Sequence, residues 1–301
     1  MLKLGAAFPL TFDCFTLLHH LLSMTSVLHR GKLIFRRMER NLVRLAEEPN
    51  REAVHDFRTT SRRLETFLDL LLPVRDRNER KLLKLLSRIR RRAGSIRDID
   101  VQLAALRSFK VPQEPRRKTQ LMHRLIDFRV RHEQKLVKLL KKKAVAELAK
   151  RIRRAAQSLH GTSNRDPLGV ANEMLRATST AGPLSDEILH RYRITVKRAR
   201  YAAEFAPRSA ERDSFIAELK QLQDALGSWH DWMTLTRTAA RQLGEIGQSS
   251  LVAALHNVTR VKFRHAVAAL SESPAHSAAV NRVAQTRKPA KRPAASQSQA
   301  A

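Results

Sequence analysis

Two short runs hold the residues best suited to chemistry. HDFRTTSRR places His55, Arg58, Arg62 and Arg63 at successive spacings of three, four and one, and HRYRITVKR places His190, Arg193, Lys197 and Arg198 at the same spacings. On a helix turning by about 100° per residue, the first three members of each set share one face. Such a face suits an oxyanion. Arginine offers a rigid fork that can hold two phosphoryl oxygens, lysine a mobile point charge, and a neutral histidine one donor. A solvated helix face with no ligand would show the same charges once, but it gives no reason for His, Arg and a second cation to return at matching positions.

The carboxylates Asp98, Asp100 and Asp231 raise a second possibility, because paired acids can hold magnesium for phosphoryl transfer. A structural role fits their positions better. Gly94 reads as a helix stop, and an acid just after Gly94 or Gly227 can cap the next helix and orient a neighbouring arginine. The chain has no G-x-x-x-x-G-K-[ST] loop, H-E-x-x-H motif or nucleophile elbow, so no catalytic residues are expected. Zinc wants clustered His, Cys, Asp or Glu, whereas His55 and His190 are flanked along their faces by arginines that repel a cation; no metal or cofactor is expected. A helix-packing role for either histidine stays open.

These residues need helices to position them. VHDFRTTSRRLETFLDLLL, residues 54–72, puts Phe57, Leu64, Leu68 and Leu71 on the face opposite His55, Arg58 and Arg62. The same arrangement recurs at LHRYRITVKRARYAAEF. His55 to His190 is a shift of 135 (190 − 55), and Gly94 to Gly227 a shift of 133 (227 − 94). Two nearly equal offsets imply two similar half-domains about a pseudo-twofold axis. KLLKLLSRIRRRAG adds another amphipathic helix, with Leu82, Leu85, Leu86 and Ile89 against Lys84, Arg88 and Arg91.

Together the motifs resemble the CHAD family, the conserved histidine α-helical domain. The first half supplies His55, Arg58, Arg62, Arg63, Gly94, Arg97, Asp98 and Asp100; the second supplies His190, Arg193, Lys197, Arg198, Arg200, Tyr201, Leu222, Gln223, Asp224, Leu226 and Gly227, with His230 in the place of Arg97. The resemblance covers roughly residues 26–270. It implies an all-α fold of two homologous helical bundles with a basic inner surface that binds inorganic polyphosphate, often on polyphosphate granules. The groove is expected to be lined by His55, Arg58, Arg62, Arg63, Lys84, Arg88, Arg97, His190, Arg193, Lys197, Arg198 and Lys220, and to bind without turnover.

Composition agrees and limits the alternatives. Against 28 Asp and Glu stand 58 Lys and Arg, a formal net charge of +30. That excess destabilises a compact chain unless a polyanion relieves it. Nucleic acid is the runner-up partner, and a phosphohydrolase a third reading. Aromatic residues make up 5% of the chain, and Trp229, Trp232, Tyr192 and Tyr201 are too clustered to line a base-stacking groove. A single cysteine, Cys14, fits a reducing compartment, and a cytoplasmic location is expected.

Along the chain, residues 1–25 read as an extra arm and 26–160 as the first half. Asp13, His19 and His20 interrupt the apolar N-terminal stretch, so no membrane span is expected there, and helical periodicity begins near Met24. HGTSNRDPLG opens a linker over 161–184, and the second half occupies 185–270. Residues 271–301, rich in Ala, Ser, Pro, Lys and Arg, read as a disordered basic tail.

Overall fold

A computed structural model describes residues 14–72, 75–110, 114–159, 165–178, 184–244 and 246–273, with side chains from Val27 onward except Ile246. Among these residues there is no strand, and the fold is all helical. The tail beyond Ser273 and most of the N-terminal arm lie outside the described residues.

The first helix, α1 (Cys14–Glu47), runs without interruption past Met24 and buries Ile34, Phe35, Met38, Leu42 and Leu45 along one stripe. Then α2 (Arg51–Thr66) starts at Asn50, whose Oδ1 accepts from the Ala53 amide at 2.9 Å, and closes in a π-helical turn, Phe67–Leu71. Its expected apolar face is buried throughout, since Phe57, Leu64, Leu68 and Leu71 are fully covered. Each such side chain contributes about 1.5–3 kcal/mol by leaving water. That stripe fixes which way the basic face points.

The next helix, α3 (Arg77–Ser108), opens with a reciprocal capping box between Asp76 and Glu79 and runs straight through Gly94 and Asp98. The expected stop at Gly94 is therefore absent, and Asp98 caps nothing. The cause is tertiary. A Cβ at Gly94 would lie 2.3 Å from Nη1 of Arg58, so glycine here lets the guanidinium lie against the helix backbone, and a larger residue would displace it. After it come α4 (Pro115–Val137) and α5 (Lys142–Gln157).

Within the stretch read as linker, Pro167–Thr178 forms α6, which buries Val170, Ala171 and Leu175 and packs on α7. This helix, α7 (Asp186–Ala203), is capped by Ser185, and α8 (Ala210–Leu243) is capped by Ser209. Like α3, α8 passes its glycine and acid, Gly227 and Asp231, in mid-helix. It ends at Gly244, whose φ of 94° suits a residue without a side chain. Finally α9 (Ser250–Glu272) starts at Ser249, and the Glu114 carboxylate accepts from the Ser249 hydroxyl at 2.7 Å and the Leu251 amide at 2.9 Å.

Helices α1, α2, α3 and α5 pack together, as do α6 with α7, α7 with α8, and α8 with α9; the two sets meet where α2 touches α7 and α3 touches α8. One hydrophobic cluster runs through both sets, from Val27 to Leu270, and a smaller one joins the far ends of α3 and α8 to α4 and α9. The helices carrying the two basic runs are thus pressed against each other by a shared core. Among the described residues no helix is long and apolar enough to cross a membrane.

Candidate functional site: a cation cluster at the α2–α7 junction

Because α2 and α7 pack together, their basic faces fall beside one another. Arg58 and Arg62 from α2, Arg97 and Asp98 from α3, Arg193 and Lys197 from α7, and Asp231 from α8 share one electrostatic neighbourhood. Five cations there face two carboxylates. Arg58 lies against α3 with Nη2 at 3.7 Å from Oδ1 of Asp98, longer than a hydrogen bond, and its side chain keeps 19% of its accessible surface. Nε of Arg193 is buried with no hydrogen-bond partner.

Burial and mutual repulsion both act on these groups. The Lys197 ammonium is pushed down to about 7, chiefly by burial and then by Arg193 and Arg62, with Asp231 opposing. Burial likewise lowers Arg58, where Asp98 opposes and Arg62, Arg97 and Arg193 add to the fall, and lowers Arg193, where Asp231 and Asp98 oppose. Burial is the largest cause in all three and repulsion among the cations adds to it, so an anion seated among them would relieve that repulsion.

The two histidines flank this cluster. Burial, followed by Arg97, lowers His55, and burial, followed by His230 and Arg193, lowers His190. Both are therefore neutral donors at pH 7. The His190 ring stacks on His230 with centroids 5.4 Å apart, in a cleft between α7 and α8. Nδ1 of His230 lies 3.6 Å from Asp231.

Other expected groove residues lie elsewhere. Arg63, next to Arg62 in sequence, turns about 100° around α2. Its Nε donates to Glu204 Oε2 at 2.6 Å and its Nη2 to Glu204 Oε1 at 3.2 Å, while its guanidinium lies 5.3 Å from the centre of the Tyr201 ring. Glu204 also accepts from Arg200 Nη1 at 2.5 Å. Arg63 thus clasps the two helix sets together. Arg198 faces the π-turn, 3.8 Å from Asp69. Lys84 and Arg88 lie 14 and 10 residues before Asp98 on α3, about 21 and 15 Å along the axis, and Arg88 lines a cleft with Lys138 and Leu148. Lys220 shares Asp231's face of α8 but lies about 16 Å from it along the axis.

Sequence reasoning gave Asp98 and Asp231 a capping role and left them out of the groove. The signal that could have found them is their own spacing: Asp98 stands four residues after Gly94 and Asp231 four after Gly227, one turn along a helix that need not break. The aromatic side chains are equally informative. Trp229, Tyr192 and Tyr201 are buried, so none offers a face on which a base could stack. Among the described residues no three His, Cys, Asp or Glu side chains gather closely enough to hold a metal ion.

An all-helical fold with cations from two helix sets meeting at one junction is the class of protein defined so far. The CHAD domain family model matches residues 32–240, more than half of the chain, and the protein belongs to the CHAD family. Its fold is similar to that of the CHAD domain from the plant Ricinus communis, a crystal structure matched with a TM-score of 0.55 and 19% sequence identity over 86% of this chain and 91% of that one. At that identity the likeness concerns the fold alone. Among curated proteins none matches this chain.

Proposed function

We propose that the protein binds inorganic polyphosphate, without turning it over, along a basic groove at the α2–α7 junction. The observation that carries this reading is the convergence of Arg58, Arg62, Arg193 and Lys197, drawn from both basic runs, with Arg97 from α3, around two carboxylates among the described residues. A chain of phosphates supplies the missing negative charge at short, regular intervals and displaces counter-ions as it binds, so affinity falls steeply with salt. CHAD domains are linked in general to polyphosphate binding, which supports the same conclusion. Phosphate recognition is favoured over nucleic-acid recognition because Trp229, Tyr192 and Tyr201 are buried and offer no face on which a base could stack. A binding role is favoured over hydrolysis because Asp98 is engaged by Arg58 and Asp231 lies beside His230 and Arg193. Association with polyphosphate granules in the cytoplasm follows from this reading.

Competition tests it. Labelled long-chain polyphosphate is displaced by unlabelled polyphosphate, duplex DNA and RNA at near-physiological salt, with wild type, Arg62→Ala, Lys197→Ala, the double variant, and a Lys142→Ala/Lys143→Ala control. Each groove variant should lose about tenfold in affinity, the double variant more, and the control much less. Equal losses in groove and control variants, or displacement by DNA as strong per charge as by polyphosphate, would replace the groove with diffuse polyanion binding.

A further inference from the structure

A second cationic cleft lies on the other side of α2, walled by α1 and the corner between α7 and α8. Its volume is about 830 Å³, and its lining includes Arg30, Arg36, Arg37, Arg40, Arg63 and Arg212. Among the described residues its lining holds two carboxylates, Glu39 and Glu204, and both are already engaged: Glu39 pairs with Arg153 from α5, and Glu204 with Arg63 and Arg200. Arg212 Nη1 donates to Asp213 Oδ1 at 2.5 Å, Arg212 Nη2 and Arg30 Nη1 donate to the Glu204 carbonyl at 3.1 and 3.5 Å, and Nε of Arg212 is buried without a partner. Arg30 is held below its ordinary value by burial and then by Arg212 and Arg208, with Asp213 opposing. Among the described residues Arg36, Arg37 and Arg40 have no ion-pair partner, and all three are exposed. On α1, Arg36 and Arg40 are one turn apart, about 6 Å, and Arg30 to Arg40 spans about 15 Å.

We propose that this cleft is a second binding site, for compact anions bearing two or more linked phosphates. Guanidinium forks one turn apart match adjacent phosphates, and the volume falls within the range of about 300–1,000 Å³ typical of small-molecule sites. Leu33, 46% exposed on the same wall, offers an apolar surface that an organic phosphate would cover and an inorganic one would not. The site stands apart from the junction groove. Arg62 serves one and Arg63 the other, and the Arg63–Glu204 clasp lies between them.

Calorimetric titration of the full chain with inorganic tripolyphosphate, and separately with a nucleoside triphosphate, tests the proposal. Three variants accompany wild type: Arg36→Ala/Arg37→Ala/Arg40→Ala for the cleft, Arg62→Ala/Lys197→Ala for the groove, and Lys141→Ala/Lys142→Ala/Lys143→Ala as a charge-matched control. The three cleft arginines are exposed, so circular dichroism and melting should be unchanged. Tripolyphosphate should occupy two classes of site in wild type; the cleft variant should lose one class, by tenfold or more in affinity, and keep the other, with the groove variant doing the reverse. Nucleoside triphosphate lost only in the cleft variant identifies an organic phosphate as the occupant, and tripolyphosphate alone an inorganic one. A single class in wild type, or a cleft variant no weaker than the control, overturns the second site. Neither result bears on the groove, whose own failure would show as indifference to Arg62→Ala/Lys197→Ala.

Discussion

Raising the pH should weaken polyphosphate binding through one side chain. Lys197 is held at about 7 by burial and by the repulsion of Arg193 and Arg62. A phosphate seated among these cations lifts it back toward the ordinary value of about 10.4. The free protein then carries this charge in about half of its molecules at pH 7 and in about 1% at pH 9, while the complex keeps it at both. Integrating that difference gives an association constant about 50-fold lower at pH 9, equivalent to ~2.3 kcal/mol. Solvent in an open groove trims the figure, so a fall of about ten- to fiftyfold is expected. Calorimetry at pH 8 in two buffers of different ionisation enthalpy should record uptake of about 0.9 proton per ligand bound at the junction. Stability has the corresponding sign. The unfolded chain holds this proton up to about pH 10.4 and the folded chain only to about 7. The contribution of Lys197 to stability therefore rises between those values, and its full cost is present below pH 7. Lys197→Met should melt higher than wild type at pH 7, bind less tightly there, and show a flat pH dependence from 7 to 9. No proton uptake at pH 8, or a pH dependence that survives in Lys197→Met, would refute the argument.

The two mid-helix glycines should behave differently when replaced. Gly94→Ala would drive Arg58 from its place beside Asp98, because its Cβ falls 2.3 Å from the guanidinium, whereas Gly227→Ala meets nothing within 4 Å. Gly227→Ala should raise stability by up to about 1 kcal/mol with binding unchanged, and Gly94→Ala should weaken binding with little gain in stability, as melts and polyphosphate titrations of the pair would show. Glu204→Gln removes the negative charge shared by Arg63 and Arg200 and turns one of its two acceptor oxygens into an NH2 donor facing a guanidinium; the two arginine side chains are 23% and 14% exposed. It should cost about 2–3 kcal/mol in denaturant unfolding, and a double-mutant cycle with Arg63→Ala should give a non-zero coupling. Acidification from pH 7 to 5 should tighten polyphosphate binding through His55 and His190, which burial keeps neutral at pH 7; the gain should vanish in His55→Gln/His190→Gln titrated over the same range.

What was legible in the chain is what depends on period and spacing. The all-helical fold follows from apolar stripes such as Phe57, Leu64, Leu68 and Leu71, and the meeting of the two basic runs follows from cations repeated opposite those stripes. What escaped depends on approach between helices. Gly94 carries the local signature of a helix end, and only the passage of Arg58 across α3 explains a glycine in the middle of a helix. Asp98, cut loose from that reading, becomes the partner of Arg58 and not a cap. Adjacent arginines show the same limit: Arg62 and Arg63 differ by one position, yet one joins Lys197 and the other Glu204. A basic run read from sequence therefore specifies how much charge a helix carries; the angle of each residue about the helix axis decides which surface receives it. In this protein a rotation of about 100° between neighbours separates Arg62, set among the cations around Lys197, from Arg63, already paired with Glu204 between the two helix sets.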